Sequence, residues 1–70
     1  MRPPTIEEEG RRIARQLGVR YTGPQYRKND EFIAHLFTDV AVTGTTFAAK
    51  TLQEAIANLA EKRRVFGAVR

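Results

Sequence analysis

Residues able to do chemistry are few in this chain and lie far apart in its sequence. Glu7, Glu8 and Glu9 supply neighbouring carboxylates, and His35 is the single histidine. The chain contains neither serine nor cysteine, so the usual nucleophiles of catalytic triads and the thiolate ligands of zinc are both missing. These residue types predict a protein that is not an enzyme and has no catalytic, cofactor-binding or metal-binding residues.

The same residues have structural interpretations once their positions are considered. Thr5 and Glu8 match a capping box, which places the glutamates in the positively polarised first turn of a helix. His35 stands alone in a strand-like run, where a packed or hydrogen-bonded role is typical. The segment Thr43-Gly44-Thr45-Thr46 could bind phosphate, although a hairpin turn is the commoner use of such residues.

The elements around these residues predict an α+β fold in a single small domain, residues 1–70. A helix is expected over residues 5–17, three strands over 19–27, 31–38 and 45–49, and a second helix from Thr51, where T-L-Q-E is another capping box. Gly10, on the apolar side of the first helix, indicates either a close backbone approach or a weak point. The order is α-β-β-β-α, with a three-stranded antiparallel meander packed with two helices. The apolar stripe of the second helix is expected to contain Leu52, Ala55, Ile56, Leu59 and Ala60.

The second predicted strand carries large apolar side chains on both faces. Phe32, Ala34 and Leu36 alternate with Ile33, His35 and Phe37, whereas a sheet with one face in water should alternate apolar and polar residues. Three arrangements could bury both faces: helices on opposite faces, a second subunit on one face, or a partner bound to it. The residues expected at such a partner surface are Ile33, Phe37, Val40 and Val42.

The charge and hydropathy of the chain limit its partners and its location. Its net charge is +4 and its pI is about 10.1, which permits binding to nucleic acid without requiring it. No apolar run approaches the roughly 18 residues that span a bilayer, and the start MRPPTIEEEG lacks the apolar core of a secretory signal. The expected location is therefore the cytoplasm, with no membrane partner.

Residues 26–66 resemble the small β-β-β-α module at the N-terminus of lambda-type tyrosine-recombinase integrases, and also short segments of uncharacterised proteins of phages and mobile elements. The resemblance is carried by an aromatic strand ending in Asp39, a Thr43-Gly44 turn, Phe47 at the third strand, and a helix containing Ala55-Ile56-Ala57-Asn58. It implies a sheet that enters a DNA groove. The nucleic-acid contacts it implies are Arg27, Lys28 and Lys50 for phosphates, and Thr38, Thr45 and Thr46 for bases.

Two functions therefore remain open. The first is a small non-enzymatic protein-interaction or structural protein that self-associates, most simply as a homodimer, through the second apolar face of its sheet. The alternative is a nucleic-acid-binding accessory module of a phage or mobile element.

Overall fold

The computed structural model of the chain describes residues 4–67, so residues 1–3 and 68–70 of the predicted single domain lie outside the described residues. The chain forms a helix, three strands and a second helix, and the predicted α-β-β-β-α order of an α+β fold is confirmed. The elements are α1 (Ile6–Leu17), β1 (Arg20–Tyr26), β2 (Phe32–Thr38), β3 (Thr46–Ala49) and α2 (Leu52–Gly67).

Helix α1 begins and ends at the residues that its sequence indicates. Thr5 Oγ1 accepts a hydrogen bond from the Glu8 amide at 3.1 Å, and the Glu8 carboxylate accepts one from the Thr5 amide at 3.2 Å. Gly18 ends the helix in the left-handed conformation, with φ of 69°, which glycine adopts without steric cost. Local capping chemistry is therefore sufficient to set both ends of α1.

Helix α2 packs through a narrower stripe than its sequence predicts. The Glu54 amide donates to Thr51 Oγ1 at 3.2 Å, while the Glu54 carboxylate accepts from the Lys50 amide at 3.5 Å instead of from Thr51. Ala55 is fully buried, but Ile56 is 49% exposed and Ala60 is exposed, so only part of the predicted apolar stripe is buried. One residue turns a helix by about 100°, so Ile56 lies beside the contact with the sheet and not within it.

The three strands form one antiparallel sheet in the order β1-β2-β3, which confirms the predicted meander. Gly23 and Pro24 lie within β1, at an edge of the sheet, where the missing proline donor is tolerated. The register of β1 against β2 shifts twice, between Tyr21 and Gly23 and between Gln25 and Tyr26. These shifts decide which side chains of β1 share a face.

Both helices pack on the same face of the sheet. Ile13 and Ala14 of α1 and Ala55 and Leu59 of α2 form one core cluster, and the sheet contributes Phe37, Phe47 and Ala49 to it. The arrangement with helices on opposite faces is therefore excluded for residues 4–67. One helical layer on one sheet is consistent with the smallest dimension of the molecule, 17 Å.

The core contains a polar contact between β1 and β2 that depends on Gly10. A Cβ atom at Gly10 would overlap the ring of Tyr21 and lie 2.6 Å from its hydroxyl oxygen. That hydroxyl lies 3.2 Å from Nδ1 of His35, which is only 2% exposed. Gly10 therefore marks a close backbone approach, and burial lowers the pKa of His35.

The length and apolar character of the helices decide whether either of them could cross a membrane. Neither α1 nor α2, as described over residues 4–67, combines the length and the apolar character that crossing a bilayer requires.

Candidate nucleic-acid interface

One face of the sheet is left uncovered by both helices. His35 and Phe37 are buried on the helical side, so Ala34, Leu36 and Thr38 point away from the helices, because successive side chains of a strand alternate. Cross-strand partners share a face, and the register assigns the remaining members. This surface, called the open face below, consists of Arg20, Gly23, Gln25, Ala34, Leu36, Thr38, Thr46 and Ala48.

A polar row crosses the open face at one end of the sheet. Arg20 pairs with Thr38, and Thr38 pairs with Thr46, so all three strands contribute one residue. The hydroxyls of Thr38 and Thr46 lie 2.9 Å apart and are hydrogen-bonded, which fixes both rotamers. Arg20 is exposed at the start of β1. The row thus presents a cation beside two oriented hydroxyls.

Most of the remaining open-face residues have side chains that project little from the sheet. Gly23, Leu36 and Ala48 form the next row, and Gln25 pairs with Ala34 beyond it. Ala34 is 6% exposed, Leu36 is half-buried and Ala48 is exposed. No large apolar side chain of this face is strongly exposed, so the driving force for burying it against another apolar surface is small.

Carboxylates are absent from all three strands. The sequences of β1, β2 and β3 are RYTGPQY, FIAHLFT and TFAA, while the helices and the β1–β2 turn carry the exposed acidic residues. Arg20, Lys50 and Lys62 have no ion-pair partner among residues 4–67. Among the open-face residues Arg20 is therefore the one charged side chain, and it has no carboxylate partner among residues 4–67.

Lys62 reaches the border of the open face from α2. It lines a cleft of about 330 Å³ between α2 and β3. The side-chain amide of Asn58 donates to the Ala48 carbonyl at 2.7 Å in the same place, which satisfies an outward-facing group of an edge strand. The other residues lining the cleft are Thr46, Phe47, Ala48, Asn58 and Glu61.

The nucleic-acid contacts predicted from the sequence are split between the two ends of the sheet. Thr38 and Thr46 lie in the polar row, as members of the open face. Lys50 follows β3 at the opposite end, since Ala49 pairs with His35. The ends of β2 are separated by about 20 Å, at roughly 3.3 Å per residue.

Arg27 and Lys28 lie in the turn between β1 and β2, at the same end as Lys50. The Arg27 amide donates to the Glu31 carbonyl at 2.8 Å and closes the hairpin. The Arg27 guanidinium lies 3.9 Å from the Glu31 carboxylate, with both side chains exposed, so its charge is partly balanced. Lys28 is exposed.

Thr45 belongs to a different cluster, built around Asp39. Its hydroxyl lies 2.8 Å from that of Thr43, which in turn donates to the Asp39 carboxylate at 3.4 Å. Asp39 is fully buried, and two nitrogens of the Arg63 guanidinium donate to its two oxygens at 3.0 Å each. These bonds from Arg63 lower the pKa of Asp39. Thr45 therefore stabilises the loop and does not lie on the open face.

The predicted partner surface is partly wrong. Phe37 is fully buried beneath the helices, so it is not available to a second molecule. Ile33 is half-buried at the register shift of β2. Val40 and Val42 are 61% and 50% exposed in the loop after Asp39, and this half of the prediction stays a prediction.

Sequence reasoning missed two members of the site and one supporting contact. Arg20 and Gln25 share the open face only because of the register shift after Tyr21, which no local pattern in the sequence indicates. The Asp39–Arg63 ion pair joins residues 24 positions apart. The sequence signal for Asp39 was its position directly after an apolar strand. No comparable signal indicated Arg63 as its partner.

Residues 4–67 contain no group of three or more side chains that could hold a metal ion. Comparison of the chain with protein-family models, with curated proteins and with solved structures gave no match. The geometry and charge of the open face are therefore the features of the chain that indicate a function.

Proposed function

We propose that the chain binds double-stranded DNA through the open face. The observation that carries this proposal is a bare sheet face, free of carboxylates, across which Arg20, Thr38 and Thr46 form a row. A polyanion approaching the strands of this face meets the Arg20 guanidinium and two hydroxyls and no carboxylate, while Glu61, at the border with α2, is paired with Arg64. Neutralising phosphates with cations releases condensed counterions, which is the main sequence-independent contribution to DNA binding.

The dimensions of the face suit a DNA groove. Adjacent strands are about 4.8 Å apart, so the axes of β1 and β3 are separated by about 10 Å, against a major groove about 12 Å wide. The short side chains of Gly23, Ala34 and Ala48 allow the sheet backbone to approach the bases closely. Strands that read DNA in this way are an established docking geometry.

Other nucleic acids fit the face less well. Single strands are bound by stacking bases on aromatic side chains, and none of the open-face residues is aromatic. Duplex RNA has a deep, narrow major groove that side chains cannot read. The resemblance of residues 26–66 to the β-β-β-α module of integrases also favours duplex DNA.

The proposal is tested by fluorescence anisotropy with a labelled duplex at several salt concentrations. Lys50→Gln should weaken binding about equally for all sequences and reduce the slope of log K against log salt by about 1, as expected for a phosphate contact. Arg15→Gln is the matched control, because Arg15 is an exposed arginine of α1, on the covered side of the sheet. Single-stranded DNA and duplex RNA are measured alongside.

Two results would overturn the proposal. The first is the absence of salt-dependent duplex binding, or tighter binding to single strands or RNA than to duplex DNA. The second is an equal loss of affinity for Arg15→Gln and Lys50→Gln, which would place DNA elsewhere on the molecule.

A second candidate function, self-association, is supported by a separate observation. Val40 and Val42 are exposed, and Val65 and Phe66 are each 45% exposed. The Asp39–Arg63 ion pair holds the last turns of α2 beside the loop that carries both valines, so these apolar side chains lie at one end of the molecule. Exposed apolar residues gathered in this way are typical of association surfaces.

Sedimentation velocity over a range of concentrations tests self-association. Val40→Thr combined with Val42→Thr should shift a dimer toward monomer, because the substitution keeps the side-chain shape and adds a polar hydroxyl. Ile56→Thr is the control, since Ile56 of α2 is comparably exposed, at 49%, and lies outside the loop that carries both valines. A wild-type chain that remains monomeric at every concentration would remove this candidate.

A further inference from the structure

We infer that Arg20 and Gln25 select the DNA sequence, with Arg20 contacting a guanine and Gln25 an adenine. The inference rests on the proposed binding of duplex DNA by the open face. It concerns two residues of β1, a strand that lies almost entirely outside the segment resembling the integrase module.

Register places both side chains on the open face. Arg20 pairs with Thr38 and Gln25 pairs with Ala34, and both partners point away from the helices. An undisturbed strand would put residues 20 and 25 on opposite faces, because they differ by an odd number of positions. The shift between Tyr21 and Gly23 brings them to the same face.

Length and freedom distinguish these two side chains from their neighbours. Every other open-face residue is glycine, alanine, leucine or threonine, whose side chains end close to the sheet. Arg20 and Gln25 are both exposed. Among residues 4–67, no side-chain hydrogen bond or ion pair occupies either polar group. Both side chains are therefore long enough to reach base edges, and their polar groups are available for hydrogen bonds there.

The chemistry of the two groups specifies different bases. A guanidinium donates two parallel hydrogen bonds to O6 and N7 of guanine, and a glutamine amide both donates to N7 and accepts from N6 of adenine. The threonine hydroxyls beside Arg20 are bonded to each other and so discriminate less. We therefore expect base-specific hydrogen bonds at two positions of the DNA. At the flanking positions the contacts depend on base methyl groups and on the shape of the groove.

The spacing of the two positions follows from the sheet. Thr38 and Ala34, the partners of Arg20 and Gln25, are four residues apart on β2, or about 13 Å at roughly 3.3 Å per residue. A base pair rises about 3.4 Å along the duplex. The strands lie along the groove, which winds around the duplex axis once in about 10 base pairs, so each base pair takes up more than about 3.4 Å of strand length. The guanine and the adenine should therefore lie about three base pairs apart.

The test is selection of bound sequences from a randomised duplex pool with the wild-type chain, Arg20→Ala and Gln25→Ala. Wild type should enrich a guanine and an adenine at the stated spacing. Arg20→Ala should lose the guanine preference alone, and Gln25→Ala the adenine preference alone, each weakening the best site about tenfold with less change on unrelated duplexes. Circular dichroism checks that both exposed substitutions preserve the fold.

The possible results distinguish a failure of base selection by Arg20 and Gln25 from a failure of duplex binding by the open face. If the wild-type chain binds duplexes without base preference, or if both variants weaken all sequences equally, the inference is overturned and duplex binding still stands. If no duplex is retained at any salt concentration, both fail. Lys50→Gln is the internal control, because loss of a phosphate contact should lower affinity and leave the selected sequence unchanged.

Discussion

Replacing Gly10 with alanine should destabilise this protein, although the same change in an ordinary helix stabilises it. Alanine is favoured over glycine in a helix interior by about 1 kcal/mol. At this position, however, the added methyl group overlaps the ring of Tyr21. The ring is held in place by its bond to His35 and by packing against Phe37, with ring centroids 5.6 Å apart.

The balance of these effects gives the sign and size of the change. Overfilling a packed core costs about 1–3 kcal/mol, and losing the Tyr21–His35 hydrogen bond costs about 0.5–1.5 kcal/mol more. After subtraction of the helix preference, the free energy of unfolding should fall by about 0.5–3.5 kcal/mol. A domain of this size loses roughly 4–8 °C in Tm for each kcal/mol.

Thermal denaturation of Gly10→Ala in two backgrounds is the assay. Tyr21→Leu removes the ring atoms that a Cβ at position 10 would meet, so in that background Gly10→Ala should become neutral or stabilising by about 1 kcal/mol. A Tm increase for Gly10→Ala in the wild-type background would refute the reasoning. So would an identical decrease in both backgrounds, because the ring would then not be the cause.

Four further predictions concern polar contacts of the fold. Arg63→Met should destabilise more than Asp39→Asn, because it strands a buried carboxylate while the reverse change leaves a guanidinium that water can reach; equal urea midpoints would contradict this. Arg63 lowers the pKa of Asp39 below its ordinary 3.8, so the stability it contributes is complete above that value and is lost as pH falls through the folded pKa. Asp39→Asn should remove this loss from acid-unfolding curves. Burial lowers the pKa of His35 below 6.5, so stability should decrease as pH falls from above 6.5 through the folded pKa, and His35→Gln should flatten that slope in urea titrations. Asn58→Ala should cost about 0.5–1.5 kcal/mol by freeing the Ala48 carbonyl; an unchanged Tm would mean that water replaces the amide fully.

The helices were predictable because their signals are local. Thr5, Glu8 and Gly18 define the ends of α1 without reference to the remainder of the chain. The strands were also located within one residue at most ends, since apolar runs and turn residues bound them. The choice of buried face was not predictable, because β2 is apolar on both sides and only three-dimensional packing decides which side the helices cover.

Predicting which residues lie on the open face was harder than predicting that the sheet could have such a face. Thr38 and Thr46, named through the integrase resemblance, do lie on the open face, while their contact with nucleic acid stays a prediction. Arg20 and Gln25 were missed because the register shift of β1 depends on how the strand fits against β2. Phe32 illustrates the same effect: its ring lies 4.9 Å from that of His35, although strict alternation would place the two on opposite faces.

The most direct test of duplex binding by the open face is a titration of the ¹⁵N-labelled chain with duplex DNA, followed by amide chemical shifts. The largest changes should fall on Arg20, Gln25, Leu36, Thr38 and Thr46, while amides on the outer side of α1 stay unchanged. Changes confined to the helices, or no changes at low salt, would contradict the account.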